Sequence, residues 1–198
     1  MAVSVDDIKK LKDLTGVGLG DAKTALVEAD GDFDKALEEM RKKGLTKAEK
    51  KADREAREGV IDSYVHGGRI GVLVEVNCET DFVARTDGFK EFAHQIALQV
   101  ASMAPEYVSE DEIPAEELER VRSEALASDT LKNKPADIAE KIVDGQVKKY
   151  FADKVLLSQN YIMDDSQTVE QFLKENIAKT GENIIIRRFK RIELGVND

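Results

Sequence analysis

Residues 75–85 read Glu75-Val76-Asn77-Cys78-Glu79-Thr80-Asp81-Phe82-Val83-Ala84-Arg85, an apolar strand running straight into a polar loop that carries an acid beside an aromatic. Upstream, Ile70, Val72, Val74, Val76 and Cys78 alternate with Gly71, Leu73, Glu75 and Asn77. Successive side chains of an extended chain point to opposite sides, so this period of two predicts a strand with one face buried. The strand becomes a fixed platform for the Asp81-Phe82 pair, which can act as a probe into another protein. On spacing alone the stronger reading of Phe82 is a core anchor that staples the start of the next helix.

Outward from this run, residues 59–66 form a second strand. It joins the strand at 69–78 through Gly67-Gly68, whose freedom at positive φ suits a tight hairpin turn. After the loop, Phe89, Phe92, Ala93, Ile96, Ala97, Val100 and Met103 lie on one face of a helix over about 87–103, with Pro105 just past its end. Helices are predicted near 115–128 and 135–153, a short extended piece near 156–163, a helix at 168–180 and a third, isoleucine-rich strand at 183–194. Helices grouped beside a small antiparallel sheet make the fold α+β.

Residues 4–44 read as three short helices. Ser4 and Asp7 have the spacing of a capping box, followed by Ile8, Leu11 and Leu14 at helical intervals. Thr15-Gly16-Val17-Gly18-Leu19-Gly20 leads to a second helix bearing Ala22, Ala25 and Leu26. Asp32 then caps a third helix with Phe33, Ala36, Leu37 and Met40, which Gly44 is expected to stop. The unit at 1–44 resembles a ubiquitin-associated module, with a core too small for much stability of its own. Residues 45–58 are almost wholly charged or alanine, with no apolar stripe, and read as a solvated linker, helical in part. Residues 59–198 form the main core.

The chain has 198 residues, 41% hydrophobic and 35% charged, ample for a globular core and unlike a disordered chain. A net charge of −10 argues against bulk affinity for nucleic acid or an anionic membrane and favours a protein partner. One cysteine excludes an intrachain disulfide framework and a cysteine-rich zinc site, and agrees with a reducing compartment, by default the cytoplasm. No apolar run approaches the roughly 20 residues that span a bilayer, and the polar start of the chain is unlike a signal peptide.

Each chemical motif has a plainer alternative. Cys78 continues the apolar face of its strand beside Glu79 and Asp81, acids that disfavour a thiolate, so it reads as structural rather than nucleophilic. His66 and His94 are too few for a histidine-rich metal site, and no metal is expected. His94 reads as a surface or boundary residue, while His66 at the hairpin tip is equally a contact or a turn residue. The glycines of 16–20 lack the Gly-Lys-Ser/Thr ending of a phosphate loop, leaving a helix–helix turn. Arg187-Arg188-Phe189-Lys190-Arg191 marks a solvated strand face or a self-association surface before it marks a nucleic-acid site.

The run at 75–85 resembles the signature of the elongation factor Ts family. Residues 11–26 are similar to the family's first signature, with Lys12 and Thr24 where arginine and lysine are more usual. The likeness continues through residues 64–73, 138–143 and 181–183 and the final Arg187-Arg188-Phe189, and so covers nearly the whole chain. It implies a guanine-nucleotide exchange factor without bond chemistry, catalytic residues or cofactor, acting on GDP-bound and nucleotide-free elongation factor Tu. Carried over, Asp81 and Phe82, flanked by Thr80 and Val83, are a wedge near the magnesium and phosphate site of that GTPase. Lys12, Leu19 and Lys23 belong to the docking face of the amino-terminal module, and His66-Gly67 forms a further contact. Both motifs lie on one half-core and the coiled-coil insertion of longer members is missing, which implies the short form. That form is a homodimer through residues 59–198, one subunit offering Asp81-Phe82 and its mate His66. Two other classes stand beside this reading: an adaptor that binds through its helical module, and a small enzyme built on an exposed, reactive Cys78.

Overall fold

The alternation from Ile70 onwards becomes the central strand of a three-stranded antiparallel sheet in the computed structural model, which describes residues 3–15, 17–128 and 135–196. Strand β1 (Glu58–His66) pairs with β2 (Ile70–Cys78) along its whole length, Glu58 opposite Cys78 and His66 opposite Ile70. Gly67 and Gly68 turn the hairpin at φ 57° and 68°, values that a β-carbon disfavours. On the other side of β2 lies β5 (Ile184–Glu193). The register shifts so that Arg187 is the extra residue of a bulge. There its guanidinium donates to Asn77 Oδ1 at 3.1 Å and to the Ala56 carbonyl at 3.4 Å.

One face of this sheet is covered because its side chains are apolar at every second position. Val72, Val74, Val76, Cys78, Ile184 and Ile186 meet Phe89, Phe92, Ile96 and Val100 of helix α5 (Asp87–Met103), with Phe172 and Ile177 of α8 (Val169–Thr180) beside them. Each large side chain buried here contributes about 1.5–3 kcal/mol. The helix ends are set locally. Thr86 caps α5 by accepting from Phe89 N–H, and Thr168 and Gln171 form a reciprocal capping box on α8. Between these helices α6 (Ala115–Leu126) and α7 (Ala136–Ala152) pair around Val121, Phe151 and Val155.

The first three helices are α1 (Val5–Thr15), α2 (Leu19–Glu28) and α3 (Phe33–Glu49), closed around Leu11, Ala22, Ala25, Leu26, Ala36 and Met40. Asp32 caps α3 as the sequence suggests, accepting from Lys35 N–H. Ser4 caps α1 differently, its hydroxyl accepting from Asp6 N–H at 3.1 Å rather than closing a box with Asp7. Leu14 is exposed, outside the stripe that Ile8 and Leu11 bury. Gly16 lies outside the described residues.

Gly44 does not stop the third helix, which continues to Glu49. The reason is tertiary. Helix α3 lies along α8, where tertiary contact outweighs the weak helix propensity of one glycine. Arg41 on α3 forms ion pairs with Glu175 at 2.8 Å and Asp164 at 3.6 Å, although its Nε–H is not aligned for a hydrogen bond. Burial pushes the Glu175 carboxyl above its usual range against the pull of Arg41.

The charged stretch after it is not simply solvated. Ala48 and Ala56 are buried, Lys51 donates to the Gly181 carbonyl, and the carbonyls of Ala52 and Arg54 accept from Asn183. Two further details escape a periodicity reading. The loop with the acid and the aromatic is a one-turn helix, α4 (Asp81–Ala84). The extended piece after Val155 splits into a 3₁₀ turn (Leu156–Ser158) and a two-residue strand β3 (Asn160–Tyr161), which pairs with β4 (Asp164–Thr168).

Candidate functional site

Phe82 stands 81% exposed on α4, so the core-anchor reading fails. Its neighbours explain why it can be held there. Thr80 caps α4 through its hydroxyl, which accepts from Val83 N–H at 3.4 Å. Val83 packs partly against the main core and Ala84 is buried, which leaves Asp81 and Phe82 on the outer side. Asp81 pairs with Arg85 one turn on, at 2.9 Å. Of the four residues 80–83, the structure therefore turns Thr80 and Val83 inwards as supports and presents Asp81 and Phe82.

A carboxylate from the far end of the chain grips the base of this turn. Glu182 Oε2 accepts from the N–H groups of Glu79 at 3.1 Å and Thr80 at 3.0 Å, and Oε1 accepts from the Thr80 hydroxyl at 2.6 Å. In exchange, Glu79 Oε1 accepts from Asn183 N–H at 2.6 Å and lies 3.5 Å from Arg54. Cys78 Sγ donates to the Thr80 carbonyl at 3.2 Å. Sequence reasoning missed Glu182 and Asn183 as parts of the site. No local pattern connects positions 79–80 with 182–183.

Cys78 is fully buried, and its thiol is pushed up to about 11, first by burial and then by the Glu182 charge. It is a packing residue and a donor to the loop; the cysteine-enzyme reading loses its exposed, reactive thiol. Among the described residues no group of three or more His, Cys, Asp or Glu side chains converges to hold a metal ion.

His66 and Gly67 lie exposed at the opposite end of the hairpin. A nine-residue strand separates that tip from the Glu58–Cys78 end, a distance of roughly 26 Å. The structure thus does not bring His66 together with Phe82. The Tyr64 hydroxyl lies 2.9 Å from His66 Nδ1, and His94 Nδ1 lies 2.9 Å from Asp62 Oδ2, so the two histidines flank Tyr64 at the edge of the sheet. Lys12, Leu19 and Lys23 are all exposed around the α1–α2 turn. Lys12 is partly occupied by Asp13 at 3.1 Å.

The outer face of the sheet carries exposed Ile61, Val65, Leu73 and Ile192. Arg188 beside them donates to Glu75 at 2.7 Å, whereas Arg191 lies on the opposite face of the sheet, where it pairs with Glu193 at 2.7 Å and donates to the Ala101 carbonyl at 3.4 Å.

Residues 34–176 match the family model described as Elongation factor TS. The chain belongs to the elongation factor Ts family. It is 54% identical over 196 residues to an elongation factor Ts of Thermotoga petrophila, covering 98% of each chain. It is 50% identical over 196 residues to that of Coprothermobacter proteolyticus, covering 98% of this chain and all of the relative. To that of Syntrophomonas wolfei it is 50% identical over 194 residues, or 98% of this chain and 91% of the relative. It is thus a member of a translation elongation factor family across its length. No helix among the described residues is long and apolar enough to cross a membrane.

Proposed function

We propose that this elongation factor Ts chain is a guanine-nucleotide exchange factor that binds elongation factor Tu in the cytoplasm and drives GDP release by inserting Asp81-Phe82 near its magnesium and phosphate site. The observation that carries the reading is the exposure of Phe82, 81%, on a turn whose base is fixed by the protein's own hydrogen bonds. An aromatic side chain left in water at a rigid position is stabilised by a partner's apolar cleft.

The work is linkage rather than bond chemistry. A protein that binds the nucleotide-free GTPase more tightly than the GDP-bound one weakens GDP binding by the same factor. Burying Phe82 is worth about 1.5–3 kcal/mol, or roughly 10- to 100-fold at about 1.4 kcal/mol per decade. The wedge therefore needs differential contacts from elsewhere, and Lys12, Leu19 and Lys23 on the helical module supply a second docking face. His66-Gly67 supplies a third. With His66 roughly 26 Å from the wedge end of its own hairpin, the mate in a homodimer is the source of the histidine at each GTPase. The exposed Ile61, Val65, Leu73 and Ile192 on the outer sheet face offer that second copy an apolar surface. No cofactor and no catalytic residue is required.

The test is release of fluorescent GDP from purified elongation factor Tu, with the wild-type chain and with Asp81→Ala and Phe82→Ala. Fast release that falls at least ten-fold in the Phe82→Ala protein is expected from the burial arithmetic. Wild-type release by a folded Phe82→Ala protein would remove the wedge.

A further inference from the structure

Thr80 is the pivot of the wedge. Its hydroxyl starts α4, and α4 is a single turn with little buried surface of its own beyond Ala84 and part of Val83. The direction of Phe82 therefore follows the position of Thr80. That position is set from position 182 along the chain, 102 residues away, where Glu182 takes the Thr80 N–H and hydroxyl and the Glu79 N–H on one carboxylate. Gly181, at φ 77°, ends α8 and turns the chain so that Glu182 faces this loop.

The same corner holds the segment that leaves the helical module. Asn183 is buried and donates through Nδ2 to the carbonyls of Ala52 at 3.2 Å and Arg54 at 2.7 Å, while its own N–H goes to Glu79. Lys51 reaches the Gly181 carbonyl. Wedge base, end of α8 and the segment from the module thus share one set of hydrogen bonds, most of them to a charged partner and so among the stronger kinds.

We infer that Glu182 is a positioning residue for nucleotide exchange: its carboxylate sets the angle at which Asp81 and Phe82 meet the GTPase, and with Asn183 keeps that angle in register with the amino-terminal module. The inference rests on the reading of Phe82 as the wedge. Glu182 is only half-buried, so water can replace it on the two N–H groups and the fold survives its loss. What is lost is pre-organisation. A loosened loop must be ordered again at every encounter, a penalty of about ten-fold for each backbone residue released.

The experiment compares GDP release from elongation factor Tu by the wild type, Glu182→Ala, Glu182→Gln, Phe82→Ala and the double variant Phe82→Ala/Glu182→Ala. Amide exchange at Glu79 and Thr80 is followed by NMR in parallel. Glu182→Ala should slow release about ten-fold, through the maximal rate, and expose both amides while β1 and β2 stay protected. Glu182→Gln keeps one oxygen for the two amides and should fall between wild type and Glu182→Ala; it also serves if the alanine variant does not fold. In the Phe82→Ala background, removal of Glu182 should cost clearly less than in the wild type, because only Asp81 is then left for it to position. Wild-type release by Glu182→Ala, or an equal loss in both backgrounds, overturns the inference and leaves the wedge standing. Wild-type release by Phe82→Ala alone removes the wedge, and the inference falls with it.

Discussion

Gly44, inside α3, faces Ala178 of α8 so closely that a β-carbon at residue 44 would stand 3.5 Å from the Ala178 β-carbon. That is ordinary van der Waals distance, so alanine fits where glycine now lies. Gly44→Ala should stabilise the protein by about 0.5–1 kcal/mol, because alanine loses less backbone entropy in a helix. Denaturant unfolding followed by circular dichroism checks the sign. A destabilised Gly44→Ala protein would mean that α3 does not run unbroken across α8. A leucine at the same place should instead wedge the helices apart and destabilise.

Gly59 is the opposite case. It sits at φ 149°, and a β-carbon there would lie 2.1 Å from the Val76 carbonyl oxygen, a backbone atom that cannot swing aside. Gly59→Ala should cost roughly 3 kcal/mol or more and disturb β1 where it starts, at the hairpin end that leads into α4. Its melting temperature against that of Gly44→Ala makes the contrast measurable.

Burial of Cys78 has a pH signature. The thiol is raised from an ordinary 9.0 to about 11, so the folded state holds a proton that the unfolded state releases first. The stability this contributes is fully present below pH 9.0 and is lost as pH rises towards about 11. Cys78→Ala should flatten that alkaline decline in a series of unfolding curves. In the wild type, labelling by a thiol reagent at pH 8 should proceed no faster than unfolding exposes the side chain.

If each GTPase site takes Asp81-Phe82 from one subunit and His66 from the mate, two damaged homodimers can repair each other. A heterodimer of a Phe82→Ala subunit with a His66→Ala subunit holds one site with both residues intact and one with neither. Random mixing of equal amounts should restore roughly a quarter of the wild-type GDP-release rate. No recovery after subunit exchange, verified by mass spectrometry of differently tagged chains, would place both residues of one subunit at the same GTPase or remove His66 from the contact.

Much of the fold is legible in the order of the residues. The alternation at Ile70 to Cys78, the Gly67-Gly68 turn and the stripe from Phe89 to Val100 place the hairpin and α5 correctly, since strand and helix periods are properties of near neighbours. The same local logic went wrong at Gly44, where a glycine looks like a helix stop but α8 supports the turn that follows. At residues 45–58 it was incomplete: the stretch is helical to Glu49 and mostly exposed from Ala48 on, as expected, but it is also tied down. Its charges suggest solvent, yet buried Ala48 and Ala56 and the carbonyls of Ala52 and Arg54 hold it to the core.

The sequence by itself determined the α+β class, the strand that carries the acid–aromatic pair, and the choice of buried Cys78 as a packing residue, because each follows from patterns a few residues long. Only the tertiary structure decided that Phe82 is left in water, since exposure depends on what fails to pack against a side chain. It also decided that His66 lies at the far end of the hairpin from Asp81-Phe82, and that Glu182 grips Thr80. A hydrogen bond between residues 102 apart leaves no periodic trace in a chain. It exists because α8 and β5 fold back beside β2, and that is a property of the whole core.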